Sequence, residues 1–204
     1  MRAHYLLLLV ALGQTSVWCA SAQGQWTIGV EVGSDRFWGS TIETAEPHRS
    51  FRPYRPTTLG AGVERRGQRL GVALHLRYAG ASLALEGSDA AVVVKGVFSH
   101  YQASPELVYR IATLGSANDL RFHAGPVFEL WKTRGEDSQL RAGGQAAVSL
   151  RVPMGGRFAA SLTAGAAVTG SPLSAGQLLD GYERRALWRR SVAAGLEYEL
   201  GDRR

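Results

Sequence analysis

The stretch LGVALHLRY, residues 70–78, alternates without a fault. Leu70, Val72, Leu74, Leu76 and Tyr78 share one parity, and Gly71, Ala73, His75 and Arg77 share the other. Successive side chains of an extended strand point to opposite faces. As a strand, this segment therefore has one apolar face and one small, basic face; a helix would scatter the two sets around its axis.

The same period of two runs outward in both directions. Before it, Trp26, Ile28, Val30 and Val32 oppose Thr27, Gly29 and Glu31, and Leu59, Ala61 and Val63 oppose Gly60, Gly62 and Glu64. After it, Tyr101, Ala103, Leu107, Tyr109 and Ile111 oppose Gln102, Ser104, Glu106 and Arg110. Leu120, Phe122, Ala124, Phe128 and Leu130 then oppose Arg121, His123 and Glu129. Ala142, Ala146, Val148, Leu150 and Val152 oppose Arg141, Gln145, Ser149 and Arg151. Phe158, Ala160, Leu162, Ala164 and Val168 oppose Ser161, Thr163 and Thr169. Last, Val192, Ala194, Leu196, Tyr198 and Leu200 oppose Ser191, Gly195, Glu197 and Glu199. That makes eight strands, an even number.

The connections alternate too. Long polar loops are expected at 40–54, 87–96 and 171–185, and tight turns at Arg66-Gly67-Gln68, Gly115 to Asp119 and Pro153 to Gly156. The connection Thr133 to Asp137 belongs with the loops by position, although it is as short as a turn. Long connections on one rim and short turns on the other mark an up-and-down barrel of the outer-membrane kind. Pro105 and Pro126 fall inside strands, where each removes a ladder hydrogen bond. Bulges are the expected accommodation.

Residues 1–22 have the form of a cleaved export signal: Arg2, an apolar run from Tyr5 to Leu12, and the small cleavage site Ala20-Ser21-Ala22. The run is roughly half the ~20 residues of a spanning helix. Cleavage removes Cys19, the only cysteine, so residues 23–204 offer no disulfide, thiolate ligand or cysteine nucleophile. Lipidation at Cys19 is the rival, with bulky Trp18 against it. The formal net charge of +6 falls to about +5 without Arg2, and only Lys95 and Lys132 are lysines. The arginines are scattered singly along the strands, with none of the stripe or basic helix that a nucleic-acid surface requires.

Aromatic residues fix the facing. Trp26, Tyr109, Phe122, Phe158 and Tyr198 lie on apolar faces near the short-turn rim, and Tyr78, Tyr101, Phe128 and Trp188 nearer the other. Two such belts around a band of Leu, Val, Ile and Ala suit a bilayer. The opposite faces carry Glu31, Glu64, Glu106, Glu129, Glu197 and Glu199 with Arg77, Arg110, Arg121, Arg141 and Arg151. Unpaired buried charge is very costly in an apolar core. Inside a narrow barrel the same groups pair with one another and fill the space that eight strands enclose. The expected fold is all-β: a closed antiparallel up-and-down transmembrane barrel of eight strands with a polar lumen.

These features resemble the small eight-stranded bacterial outer-membrane barrels, similar to the OmpA transmembrane domain and OmpX. The sharpest element is the closing strand GLEYEL, residues 195–200, where Gly195, Tyr198 and Leu200 match a Gly-x-x-aromatic-x-aromatic signal. Ala193 stands where that signal has a polar residue, and Leu200, followed by Gly-Asp-Arg-Arg, replaces its last aromatic. The resemblance implies export to the cell outer membrane, contact with its lipid and lipopolysaccharide, and insertion by the barrel-assembly machinery. It further implies a monomer with a structural or surface-interaction role. No nucleic-acid partner is expected from the scattered arginines, and no peptidoglycan-binding domain is expected after the barrel, since the sequence stops at Arg204.

The group also hosts lipid-modifying enzymes, whose chemistry would need a catalytic cluster. His75 and His123 face the expected lumen, where bonding to Glu or Arg is the ordinary role. Ser99 and His100 are strand neighbours that point to opposite faces and so do not pair. No His-x-x-x-His helix and no phosphate-cradling glycine loop occurs. No catalytic, cofactor-binding or metal residue is expected, and no cofactor. The segment EPHRSFRPYRP, 46–56, mixes arginine with Phe51 and Tyr54 in the manner of a solvated or lipopolysaccharide-contacting loop. Two rival readings stand beside the main one. A lipid hydrolase or acyltransferase would show a Ser-His-acid cluster at the lipid-facing rim, and a soluble periplasmic ligand-binding barrel would turn its apolar faces inward.

Overall fold

The structure is a computed structural model that describes residues 25–43, 50–54, 56–86, 91–115, 117–133, 138–172 and 182–201. The expected export signal, residues 1–22, lies outside the described residues. Nine strand segments follow one another: β1 (Gln25–Glu43), β2 (Ser50–Tyr54), β3 (Thr57–Arg66), β4 (Leu70–Glu86), β5 (Ala91–Leu114), β6 (Asn118–Thr133), β7 (Gln139–Gly155), β8 (Phe158–Thr169) and β9 (Tyr182–Leu200). Both β2 and β3 pair with β4, as two lengths of one wall strand, so the nine segments make eight staves. Every neighbouring pair is antiparallel, β1 meets β9, and β4 meets β5, which closes the ring.

The facing is as the alternation predicts. Leu70, Val72, Leu74, Leu76 and Tyr78 are exposed on the outside, while Ala73 is buried and His75 and Arg77 are half-buried within. Of the nine belt aromatics, Tyr198 is half-buried and the other eight are exposed. Some meet in pairs across strands with tilted rings: Tyr78 with Tyr101 at 5.1 Å, and Phe158 with Tyr198 at 5.1 Å between ring centroids. The apolar side of the wall thus turns outward and the charged side inward, the reverse of a soluble ligand-binding barrel.

The strand ends differ from the sequence expectation. β1 continues past Val32 to Glu43 and Ser50–Tyr54 is strand, so the expected 40–54 loop shrinks to a link between them. β5 starts at Ala91, inside the expected 87–96 loop, and β9 starts at Tyr182, inside 171–185. The β1–β9 ladder continues where outward positions turn polar, as at Ser34, Arg36 and Arg190, because hydrogen bonding needs no hydrophobic face. At the other rim β7 runs on to Gly155, which shifts the expected Pro153–Gly156 turn to Gly156 and Arg157. Gly156 takes φ 56°, a left-handed value that favours glycine.

Pro105 and Pro126 produce no bulge. The β5–β6 pairing keeps one register from Ala103↔Phe128 to Leu107↔Ala124, which sets the two prolines opposite each other in a short gap of the ladder. Two residues without an N–H face each other, so the missing donors coincide and no register change is needed. A side chain on Gly125 would strike the Pro105 carbonyl, so the strands approach closely at this gap. The β5–β6 irregularity lies instead at Arg110 to Ala112.

Candidate functional site

The lumen gathers the groups that carry chemistry, in three tiers. Nearest the short turns, Arg66 reaches three carboxylates: Glu197 at 2.5 Å, Glu64 at 3.2 Å and Glu199 at 3.3 Å. Arg151 pairs with Glu197 at 3.1 Å and also with Glu199. Arg121 donates through Nη1 to both oxygens of Glu64 at 3.1 Å, and through Nη2 to Asp119 at 3.1 Å. Each carboxylate of this tier has an arginine partner, which is what permits the burial of so much charge.

The middle tier is built on space. Arg77 binds Glu31 through Nε at 2.5 Å. A Cβ on Gly60 would lie 2.7 Å from Glu31 Oε1, and one on Gly62 would lie 2.8 Å from His75 Nδ1. The glycines of β3 thin one wall, and the side chains of β1 and β4 occupy the space. Beside them runs a connected chain. His123 Nε2 is 2.8 Å from Ser149 Oγ, and its Nδ1 is 3.0 Å from Glu106 Oε2. Gln145 donates its amide to Glu106 Oε1. The ordinary expectation for His123, a carboxylate partner, is met. His75 lies near the same carboxylate but at 3.9 Å, beyond hydrogen-bond length.

The upper tier was not expected. Phe37, Ala81, Trp131 and Leu187, each 1% exposed, form an apolar cluster inside the barrel. His100 stacks on Trp131 at 4.1 Å between ring centroids. Beneath them Glu129 accepts from Thr169 Oγ1 at 3.0 Å and Trp131 Nε1 at 3.2 Å, and it pairs with Arg189 at 3.1 Å. Arg189 also donates to Gln102. Phe37 and Leu187 lie where the outward apolar pattern has faded, so alternation alone missed them. Their parity with inward Asp35 and Arg189 is the signal that finds them.

Two expected lumen arginines sit at the rims instead. Arg110 is exposed and donates to the Gln68 carbonyl, because the irregularity in β5 swings it over the edge. Arg141, at the loop rim, donates to the Ser171 carbonyl at 2.5 Å. Ser99 is half-buried while its neighbour His100 is buried in the lumen. The Ser149–His123–Glu106 chain has the connectivity of a nucleophile, base and orienting acid, but it stands inside the wall, away from any lipid-facing rim.

A closed eight-stranded antiparallel barrel, apolar outside and ionic within, is the architecture of the small outer-membrane barrels, the OmpA/OmpX-like group. No protein-family model matches the chain, and no curated protein matches it by sequence. Solved structures do match. The outer membrane protein OprG of Pseudomonas aeruginosa superposes with a TM-score of 0.57 at 10% identity, over 89% of this chain and 98% of that one. Neisserial surface protein A gives 0.53 at 9% identity, over 86% and 97%. A major outer membrane protein of Thermus thermophilus gives 0.50 at 12%, over 86% and 99%. At these identities the likeness is one of fold.

Proposed function

We propose that this protein is a small barrel of the bacterial outer membrane with a structural or surface-interaction role and no catalysis, its lumen plugged by side chains. The observation that carries the reading is the inverted wall. Trp26, Val30, Leu74, Leu107 and Val192 lie on a continuous exposed apolar surface of a size that water-soluble monomers do not display. Lipid is the solvent that such a surface fits. In this reading residues 1–22 direct export, the assembly machinery inserts the barrel, and the monomer meets membrane lipid and lipopolysaccharide along its outer wall and upper rim. The matches to OprG and to the Thermus thermophilus protein, both named as outer membrane proteins, support the same location.

The plugged lumen rests on the tiers described above. Eight strands leave room for side chains, whereas water-filled channels come with about 16 to 18. Cell fractionation tests the location: the protein should extract only with detergent and change its gel mobility on heating. Recovery as a soluble periplasmic protein would end the reading. Purified protein in a planar bilayer should show no large steady conductance, and a porin-sized one would refute the plug.

A further inference from the structure

At mid-lumen three potential ligands converge from neighbouring strands: His75 on β4, Glu106 on β5 and His123 on β6. One ligand atom from each lies within 4.8 Å of the other two. We propose that these three residues form a binding site for a divalent first-row transition cation of the zinc class. It goes beyond the role proposed above and does not depend on it.

The donor set is the first argument. Two imidazoles and one carboxylate suit zinc and its neighbours, and three protein ligands leave a position for water. The second argument is orientation. Gln145 holds Glu106 Oε1, which leaves Oε2 turned toward both histidines. Ser149 Oγ engages His123 Nε2 at 2.8 Å, which reserves Nδ1 for the centre of the group. Outer partners of this kind fix the tautomer and ring plane of a ligating histidine.

His75 supplies the third. Its Nδ1 is buried with no hydrogen-bond partner, and its Nε2 is too far from Glu106 for a hydrogen bond. Nδ1 lies against Gly62 on β3, so the nitrogen turned to the cluster is Nε2, whose 3.9 Å separation from Glu106 Oε2 leaves room for a bridging cation. Gly62 makes its position possible, since a Cβ there would crowd the ring.

Size decides between a cation and an acyl substrate for the Ser149–His123–Glu106 chain. The cavities that border the cluster measure about 40 Å³ and about 20 Å³. They take an ion with a water or two, and exclude a lipid chain. Glu64 and Glu197 line the larger cavity as well, each paired with arginines of the short-turn tier. Arg77 and Arg189, which line the smaller cavity, are already engaged by Glu31 and Glu129.

The test uses the chain without residues 1–22, refolded in detergent and stripped with a chelator. Zinc is titrated by calorimetry and cobalt by visible absorption. The expected result is one zinc per chain, with a cobalt spectrum showing nitrogen ligation. His75→Ala and Glu106→Gln should each weaken zinc binding about 100-fold or more, and Ser149→Ala about 10- to 100-fold. His100→Ala, a lumenal histidine outside the cluster, should bind zinc like the unaltered protein. Absence of zinc binding up to about 0.1 mM would overturn the proposal, as would affinity that survives His75→Ala or depends on His100. Should the ligand variants fail to fold, the unaltered protein still decides. Zinc must shift the ring resonances of His75 and His123 and spare those of His100; shifts at other histidines alone overturn the site.

Discussion

The two ends of the lumen are closed by different physics. At the short-turn end, Arg66, Arg121 and Arg151 interlace with Glu64, Glu197, Glu199 and Asp119, and several carboxylates have more than one cation. At the loop end, Phe37, Trp131 and Leu187 pack as a small apolar core above the Glu129–Arg189 pair, with Asp35 3.9 Å from Arg189. That end also leaves buried atoms without hydrogen bonds, among them both carboxylate oxygens of Asp35 and Nε of Arg189. An ionic network is redundant, because each carboxylate can lose one partner and keep another. A packed core has no such reserve: each side chain fills space that nothing else can fill. The loop end should therefore be the less forgiving of the two.

The largest effect is expected there. Trp131→Ala removes a fully buried indole and the donor to Glu129, and such truncations cost about 3–5 kcal/mol. Denaturant unfolding in lipid or detergent should show a loss in that range. A loss below about 1 kcal/mol would mean that the loop-end cluster is not a core.

A charge on the outer face sharpens the contrast between the two sides of one wall. Arg77 is accommodated inside through Glu31, whereas Leu74, three residues earlier, is exposed on the outside. Leu74→Arg and Val148→Arg should each cost about 2–4 kcal/mol, the range for arginine at the bilayer midplane of such barrels. Ser149→Arg, one residue from Val148 on the inner face, should be milder in its lipid cost in a membrane-insertion assay, although it crowds the filled lumen beside His123. Equal tolerance of all three would contradict the facing.

At the ionic end the expected loss is smaller. Arg151→Ala leaves Glu197 and Glu199 with Arg66 still in reach. The cost should be about 1–3 kcal/mol, the range for buried groups left partly unsatisfied. Adding Arg66→Ala should cost more than the sum of the two single changes, since the reserve is then gone. Strict additivity in that double-mutant cycle would show that the network is a set of independent pairs.

The contrast also explains what could be read from sequence. The ionic end was legible because its residues stand opposite an apolar membrane-facing set: Glu64 against Val63, Arg151 against Val152. Who pairs with whom was not legible, because partners come from strands far apart in the chain, as Arg66 and Glu197 do. Phe37, Leu187 and Trp131 were hidden for another reason. Near the loop end outward positions turn polar, as at Ser34, Arg36 and Arg190, so the period of two loses its amplitude while the ladder continues. The convergence of His75, Glu106 and His123 needed the register itself, which places three inward positions of adjacent strands side by side. Spacing along one strand contains no trace of it.

The smallest effect concerns an arginine of the same short-turn rim that alternation assigns to the lumen. Arg110 lies beside the ionic network in sequence terms, yet its side chain is 41% exposed and its ion pair with Asp119 spans 3.9 Å. Exposed pairs of this kind are worth little, because water screens them and two long side chains must be held in place. Its other contact, to the Gln68 carbonyl, is also exposed to solvent, which can replace it. Arg110→Ala should therefore change stability by less than about 0.5 kcal/mol, against the larger loss from Arg151→Ala at the same end of the barrel. Salt should separate the two further: what little Arg110 contributes fades as ionic strength rises, while the buried Arg151 pairs are screened much less. If Arg110→Ala cost as much as Arg151→Ala at every salt concentration, then Arg110 would belong inside the lumen. The irregularity that carries it over the rim would then be misplaced.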